Sequence, residues 1–120
     1  DWPAAAQSAE RALAVNPLIR APHRSLARAA EAMDDPPRAI RAYRALLRMD
    51  PVDPAEAHFR LAGLLSRQGD LPSARREVIK ALEEAPRFRA AHRLLLEIVD
   101  RAEGQAAPPG PDEQATEQGR

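Results

Sequence analysis

Proline returns at a fixed interval along this chain: Pro17, then Pro51 thirty-four residues later, then Pro86 thirty-five residues after that. Each closes a stretch of helix-forming residues, in Ala14-Val15-Asn16-Pro17, Arg48-Met49-Asp50-Pro51 and Glu83-Glu84-Ala85-Pro86. Proline cannot continue a helix, because it lacks the amide hydrogen and its ring meets the carbonyl one turn back. A regular beat of prolines therefore marks regularly spaced helix ends, and a period near 34 residues is the mark of a solenoid of helix–turn–helix units. The repeat argues for a binding scaffold and leaves open what is bound.

Two further residue families keep the same phase. Asp1-Trp2-Pro3-Ala4-Ala5, Asp35-Pro36-Pro37-Arg38-Ala39 and Asp70-Leu71-Pro72-Ser73-Ala74 share the form Asp-x-Pro-x-Ala. This is the chemistry of a helix start: Asp accepts from free backbone amides as N-cap, and proline in the first turn gives up an amide that has no partner there. The small residues Ala5, Ala39 and Ala74 are expected where neighbouring helices approach closely. The third family is Pro22-His23-x-x-Leu26-Ala27, Ala57-His58-x-x-Leu61-Ala62 and Ala91-His92-x-x-Leu95-Leu96.

Together these positions resemble the tetratricopeptide repeat family, whose pattern is a large residue, then Leu-Gly and Tyr in the first helix, Ala and Phe in the second, and a closing Pro. One repeat reads His23, Leu26, Ala27, Ala30, then Ala39, Tyr43 and Pro51; the next reads His58, Leu61, Ala62, Leu65, then Ala74, Val78 and Pro86. The departures are His for the usual Trp, Ala for the usual Gly, and one extra residue in Pro51-Val52-Asp53-Pro54. The resemblance covers residues 1 to about 101. It implies an all-α, right-handed solenoid of antiparallel helix hairpins that binds a protein or peptide along the exposed face of the first helix of each repeat. By position, that face carries Arg24, Arg28 and Glu31, then Phe59, Gly63, Ser66 and Arg67, then Arg93, Glu97, Asp100 and Arg101. Arg24 and Arg28 are one turn apart, so an acidic side chain or terminal carboxylate between them would offset their repulsion with charge-assisted bonds. Phe59 with Gly63 one turn later is expected to form an apolar notch. The members that capture acidic C-terminal tails use Lys and Asn in the groove. This chain has Arg there and its single Asn, Asn16, in a turn, so that clamp is not carried over.

The pattern divides the chain into residues 1–19, the second helix of a truncated repeat; 20–53 and 54–88, two complete repeats; 89–102, the first helix of a partial repeat; and 103–120, a tail. Six helices are expected, over about 3–15, 20–33, 37–49, 55–68, 72–85 and 88–102. From residue 103 the composition turns to Gly, Pro, Gln and Glu, which cannot bury enough apolar surface to order itself, so the tail is expected to be disordered. The first helix offers Ala4, Ala5, Ala6, Ala9, Ala12, Leu13 and Val15, with Trp2 at its start and no preceding partner, whereas solenoid ends are normally polar caps. The expectation is therefore that the chain is the C-terminal part of a longer protein. Two other readings have this helix anchoring the repeats as an appendage of an upstream, possibly catalytic domain, or joining two copies of the chain.

Composition narrows the chemistry. There is no cysteine, hence no disulfide and no thiolate, and no apolar run near 18 residues that would span a membrane. The net charge is zero, with a net −3 in residues 102–120 balanced by +3 in the remainder. That excess is too small, and Trp2, Tyr43, Phe59 and Phe88 too scattered, for a nucleic-acid surface. Seventeen of the eighteen basic residues are Arg; a GC-rich bacterial genome gives such a bias, and Arg also suits carboxylate recognition. His23, His58 and His92 fall on successive repeats, whose helices lie about 8–10 Å apart. Zinc needs its ligands about 2 Å away, so these histidines are read as half-buried packing residues. No hydroxyl residue stands in a nucleophile–base motif and no phosphate loop is present. The expectation is a protein-binding module without catalysis, metal or cofactor.

Overall fold

The computed structural model describes residues 1–49 and 51–106. They form six helices, α1 (Trp2–Val15), α2 (Arg20–Ala32), α3 (Pro36–Leu47), α4 (Pro54–Arg67), α5 (Leu71–Glu84) and α6 (Arg89–Ala106). Five of the six match the expected spans closely. The exception is α6, which runs past residue 102 to Ala106, so the first four residues of the supposed disordered tail are helical. Glu103, Gln105 and Ala106 are good helix formers, and a single Gly104 among them does not end a helix whose first proline breaker is Pro108. Residues 107–120, the remainder of that tail, lie outside the described residues.

The helix starts use aspartate and proline together. Asp1, Asp35, Asp53 and Asp70 are the N-caps of α1, α3, α4 and α5, each followed by proline in the first two helical positions. The aspartate side chain closes the cap only at Asp70, which accepts from the Ser73 amide at 3.3 Å, and at Asp53, which accepts from the Glu56 amide at 3.2 Å. Asp53 is in the linker with the extra residue, outside the Asp-x-Pro-x-Ala series.

The turns inside the two hairpins are alike. The Asp35 amide bonds Ala30 O and the Asp34 amide bonds Glu31 O; one repeat later Asp70 bonds Leu65 O and Gly69 bonds Ser66 O. This double bond pattern is the Schellman stop, in which the residue just past the helix takes a left-handed conformation. Gly69 does so at φ 85°, and Asp34 occupies the same slot at φ 55°.

Each helix packs on the one before it, giving hairpins α2–α3 and α4–α5, with α1 against α2, α3 against α4 and α5 against α6. The core is aliphatic and small-residue rich: Leu61, Leu64, Val78 and Ile98 are its largest fully buried side chains, and Ala27, Ala30, Ala39, Ala62 and Ala74 have no exposure at all. Burying each of the larger ones contributes about 1.5–3 kcal/mol. Ala39 and Ala74 hold the close-approach positions as expected, whereas on α1 it is Ala6, beside the half-buried Ala5, that is fully buried.

The three histidines do not behave alike. His23 is buried and its Nε2–H donates to Pro17 O at 2.7 Å; His92 makes the same bond to Pro86 O at 2.7 Å but is exposed rather than half-buried. Each lies six residues after its proline. The extra residue in the middle linker puts His58 seven residues after Pro51, and its Nδ1–H donates instead to Glu77 Oε1 on α5 at 2.8 Å. That bond, helped by Lys80, holds the Glu77 carboxyl below its ordinary pKa against the opposing effect of burial.

Candidate protein-binding groove

The exposed sides of α4 and α6 face each other across a cavity of about 550 Å³. Phe59, Gly63 and Leu64 of α4 meet Ala90 and Leu94 of α6 on its apolar part. The Phe59 ring leans on Phe88, centroids 4.8 Å apart at 45°, so the notch expected beside Gly63 has a fixed aromatic wall. A Cβ built on Gly63 would meet nothing within 4 Å, so the space beside the ring is open.

Charge surrounds that floor: Arg60, Arg67, Arg93 and Arg101 against Glu31 and Glu97. Two of the four arginines are committed. Arg60 Nε bonds Glu56 Oε1 at 2.7 Å and its Nη1 lies 3.6 Å from Glu31 Oε2. Arg101 Nη1 donates to the buried Ser66 hydroxyl at 2.6 Å, tying α6 to α4. Arg67 and Arg93, on opposite walls and both exposed, make no ion pair within 4 Å among the described residues.

Of the residues marked in the sequence, Glu31, Phe59, Gly63, Ser66, Arg67, Arg93, Glu97 and Arg101 come together around this cavity, while Asp100 is not part of its lining. Arg24 and Arg28 lie elsewhere, around a second cavity of about 200 Å³ with Tyr43, Leu46, Val52, Asp53, Glu56, Ala57 and Arg60. Sequence reasoning did not mark Arg60, Leu64, Ala90 or Leu94. Arg60 was legible, since it stands four residues from Glu56 on one helical face; that it also reaches Glu31 on another helix was not.

Beneath the junction of the two cavities, the Tyr43 hydroxyl donates to Glu31 Oε1. Burial, this bond and the Glu31 charge together raise the Tyr43 pKa far above the ordinary phenol value. Glu31 therefore joins α2 to α3 through Tyr43 and to α4 through Arg60. No helix among the described residues is long and apolar enough to cross a membrane.

No curated protein matches the chain. The tetratricopeptide repeat family model matches residues 24–90, which is more than half of the chain and takes in most of α2 and all of α3, α4 and α5. With helices α2 to α5 stacked as two successive hairpins over that stretch, the chain belongs to the tetratricopeptide repeat family, whose members are typically non-catalytic protein-interaction scaffolds.

Proposed function

We propose that this chain is a binding module for a protein segment, and that the segment lies in the groove between α4 and α6. The observation that carries the reading is the pairing of an open apolar floor, from Phe59 to Leu94, with two guanidinium groups on facing walls, Arg67 and Arg93, that have no ion-pair partner within 4 Å among the described residues. An apolar notch with a few fixed polar groups is what a recognition site requires, since the apolar part supplies affinity and the charges supply register. The charge excess favours a partner with acidic groups. Arg also forms paired, planar bonds to a carboxylate that Lys does not.

The test is affinity capture with the full chain in parallel with Arg67→Glu/Arg93→Glu. Both side chains are exposed, so the variant keeps the fold and its thermal transition. A partner held by the parent and lost from the variant supports the groove. Equal retention by both refutes it.

A further inference from the structure

Away from that groove, the loops between hairpins gather aliphatic residues at the surface. Leu18 and Ile19, between α1 and α2, are 79% and 44% exposed, and Val52, between α3 and α4, is 83% exposed. Single exposed aliphatics are ordinary, but these three wall one depression together with Ala21 and Arg24. Arg24 also borders the neighbouring cavity of about 200 Å³, whose lining includes Arg28.

The carboxylates lining that cavity are already in use. Asp53 caps α4 through the Glu56 amide, and Glu56 holds Arg60. Arg24 and Arg28 stand one turn apart on α2 and, among the described residues, neither has an ion-pair partner within 4 Å. Adjacent like charges on one helix face repel, and an incoming carboxylate relieves that repulsion with charge-assisted hydrogen bonds. The apolar depression and the cationic cavity share Arg24, so one ligand can occupy both.

We infer that this edge is a second docking surface, which takes a protein segment carrying an acidic side chain next to aliphatic ones. The aliphatic residues cover Leu18, Ile19 and Val52, and the carboxylate enters between Arg24 and Arg28. A cavity of about 200 Å³ suits one side chain rather than the plane of a lipid surface. The site is distinct from the α4–α6 groove, and it stands or falls without it.

The experiment pans a random-peptide display library on the full chain, then measures the enriched peptides against three variants. Leu18→Ser/Val52→Ser removes the aliphatic wall, Arg24→Gln/Arg28→Gln removes the cations, and Gly63→Trp fills the other groove. Far-UV circular dichroism melts verify that each variant is folded. The expected result is a set of peptides with Asp or Glu close to Leu, Ile or Val. Either edge variant should weaken their binding about tenfold or more, as loss of charge-assisted bonds or of a buried apolar contact does, and Gly63→Trp should leave it unchanged. Enrichment of no such peptide overturns the inference, as does a set lost only with Gly63→Trp. Binding to phosphatidylserine vesicles that disappears with Leu18→Ser/Val52→Ser would overturn it in favour of a membrane. A concentration-dependent mass abolished by that same variant would overturn it in favour of a second copy of this chain.

Discussion

Gly63 is a position where stability and binding should move in opposite directions. It lies in the interior of α4, where glycine costs about 0.8–1.0 kcal/mol relative to alanine, because it surrenders more backbone freedom and leaves the helix backbone exposed. Nothing in the surroundings demands glycine: an added Cβ meets no atom within 4 Å, and the residue is not among those with positive φ. Gly63→Ala should therefore stabilise the chain by nearly the full propensity difference, about 0.8–1 kcal/mol. In a domain of this size that corresponds to a rise in Tm of roughly 4 °C, readable by circular dichroism and as a higher urea midpoint at unchanged slope. The same methyl group projects into the groove beside Phe59 and Leu64, so a segment seated there should bind less well, and Gly63→Trp should abolish binding. A variant that merely damaged the fold would lower both readings. An unchanged or lowered midpoint for Gly63→Ala would refute the stability argument. Full binding by Gly63→Trp would show that the segment does not cross this position.

Two further outcomes test the fold itself. Asp34→Gly should stabilise the chain by up to about 1 kcal/mol, read as a higher urea midpoint, because it relieves a left-handed residue of its Cβ while keeping the Schellman stop, and Gly69→Ala should cost about 1 kcal/mol; a loss of stability in Asp34→Gly would mean that the aspartate side chain contributes more than its backbone strain removes. Tyr43 is the only tyrosine, so its ionisation can be followed by ultraviolet difference absorbance. Its raised folded pKa means that the stabilisation is complete below the ordinary tyrosine value of about 10 and is lost as pH rises above it. Tyrosinate should consequently appear only together with alkaline unfolding, and its appearance near pH 10 in the still-folded chain would contradict the buried bond to Glu31.

The helix pattern was legible because it rests on residues that act locally. Pro17, Pro51 and Pro86 end helices whatever surrounds them, and the alanines at one phase of the repeat lie at helix contacts because little else fits. The three aspartates were less informative: a carboxylate at the N-cap makes a cap available, but only Asp70 of that series closes it, and Asp53 from the irregular linker does so as well. The extra residue in that linker was also visible, whereas its consequence was not. It moves His58 out of reach of the proline carbonyl used by His23 and His92 and turns it to Glu77, a residue nineteen positions away. The candidate site shows the same boundary. Residues of α4 and α6 one and two turns apart share a face by helical spacing, but the separation of Arg24 and Arg28 from them depends on how the hairpins stack.

That stacking also explains why one ribbon of helices presents two different surfaces. Glu31 and Ser66 occupy equivalent positions one repeat apart, and each receives an arginine from the next first helix, Arg60 on α4 and Arg101 on α6. The spacing of the groove helices is thus tied by polar contacts at a recurring position. What lies beneath the ties differs. Between α4 and α6 the helices touch directly and Phe59, Leu64 and Leu94 form an apolar floor. Between α2 and α4 no described pair of Cα atoms comes within 8 Å, and the gap is crossed by side chains, with Tyr43 rising from α3 to meet Glu31. An exposed ion pair of the Arg60–Glu31 kind is worth little alone. Here it is backed by a buried phenol and by Glu56, so the network fixes Arg60, whereas Arg24 and Arg28 beside it have no ion-pair partner within 4 Å among the described residues. The repeat thereby sets two surface chemistries side by side, one apolar with a pair of facing arginines and one cationic beside exposed aliphatic loops. The difference between them comes from which residues each hairpin contributes to an otherwise identical frame.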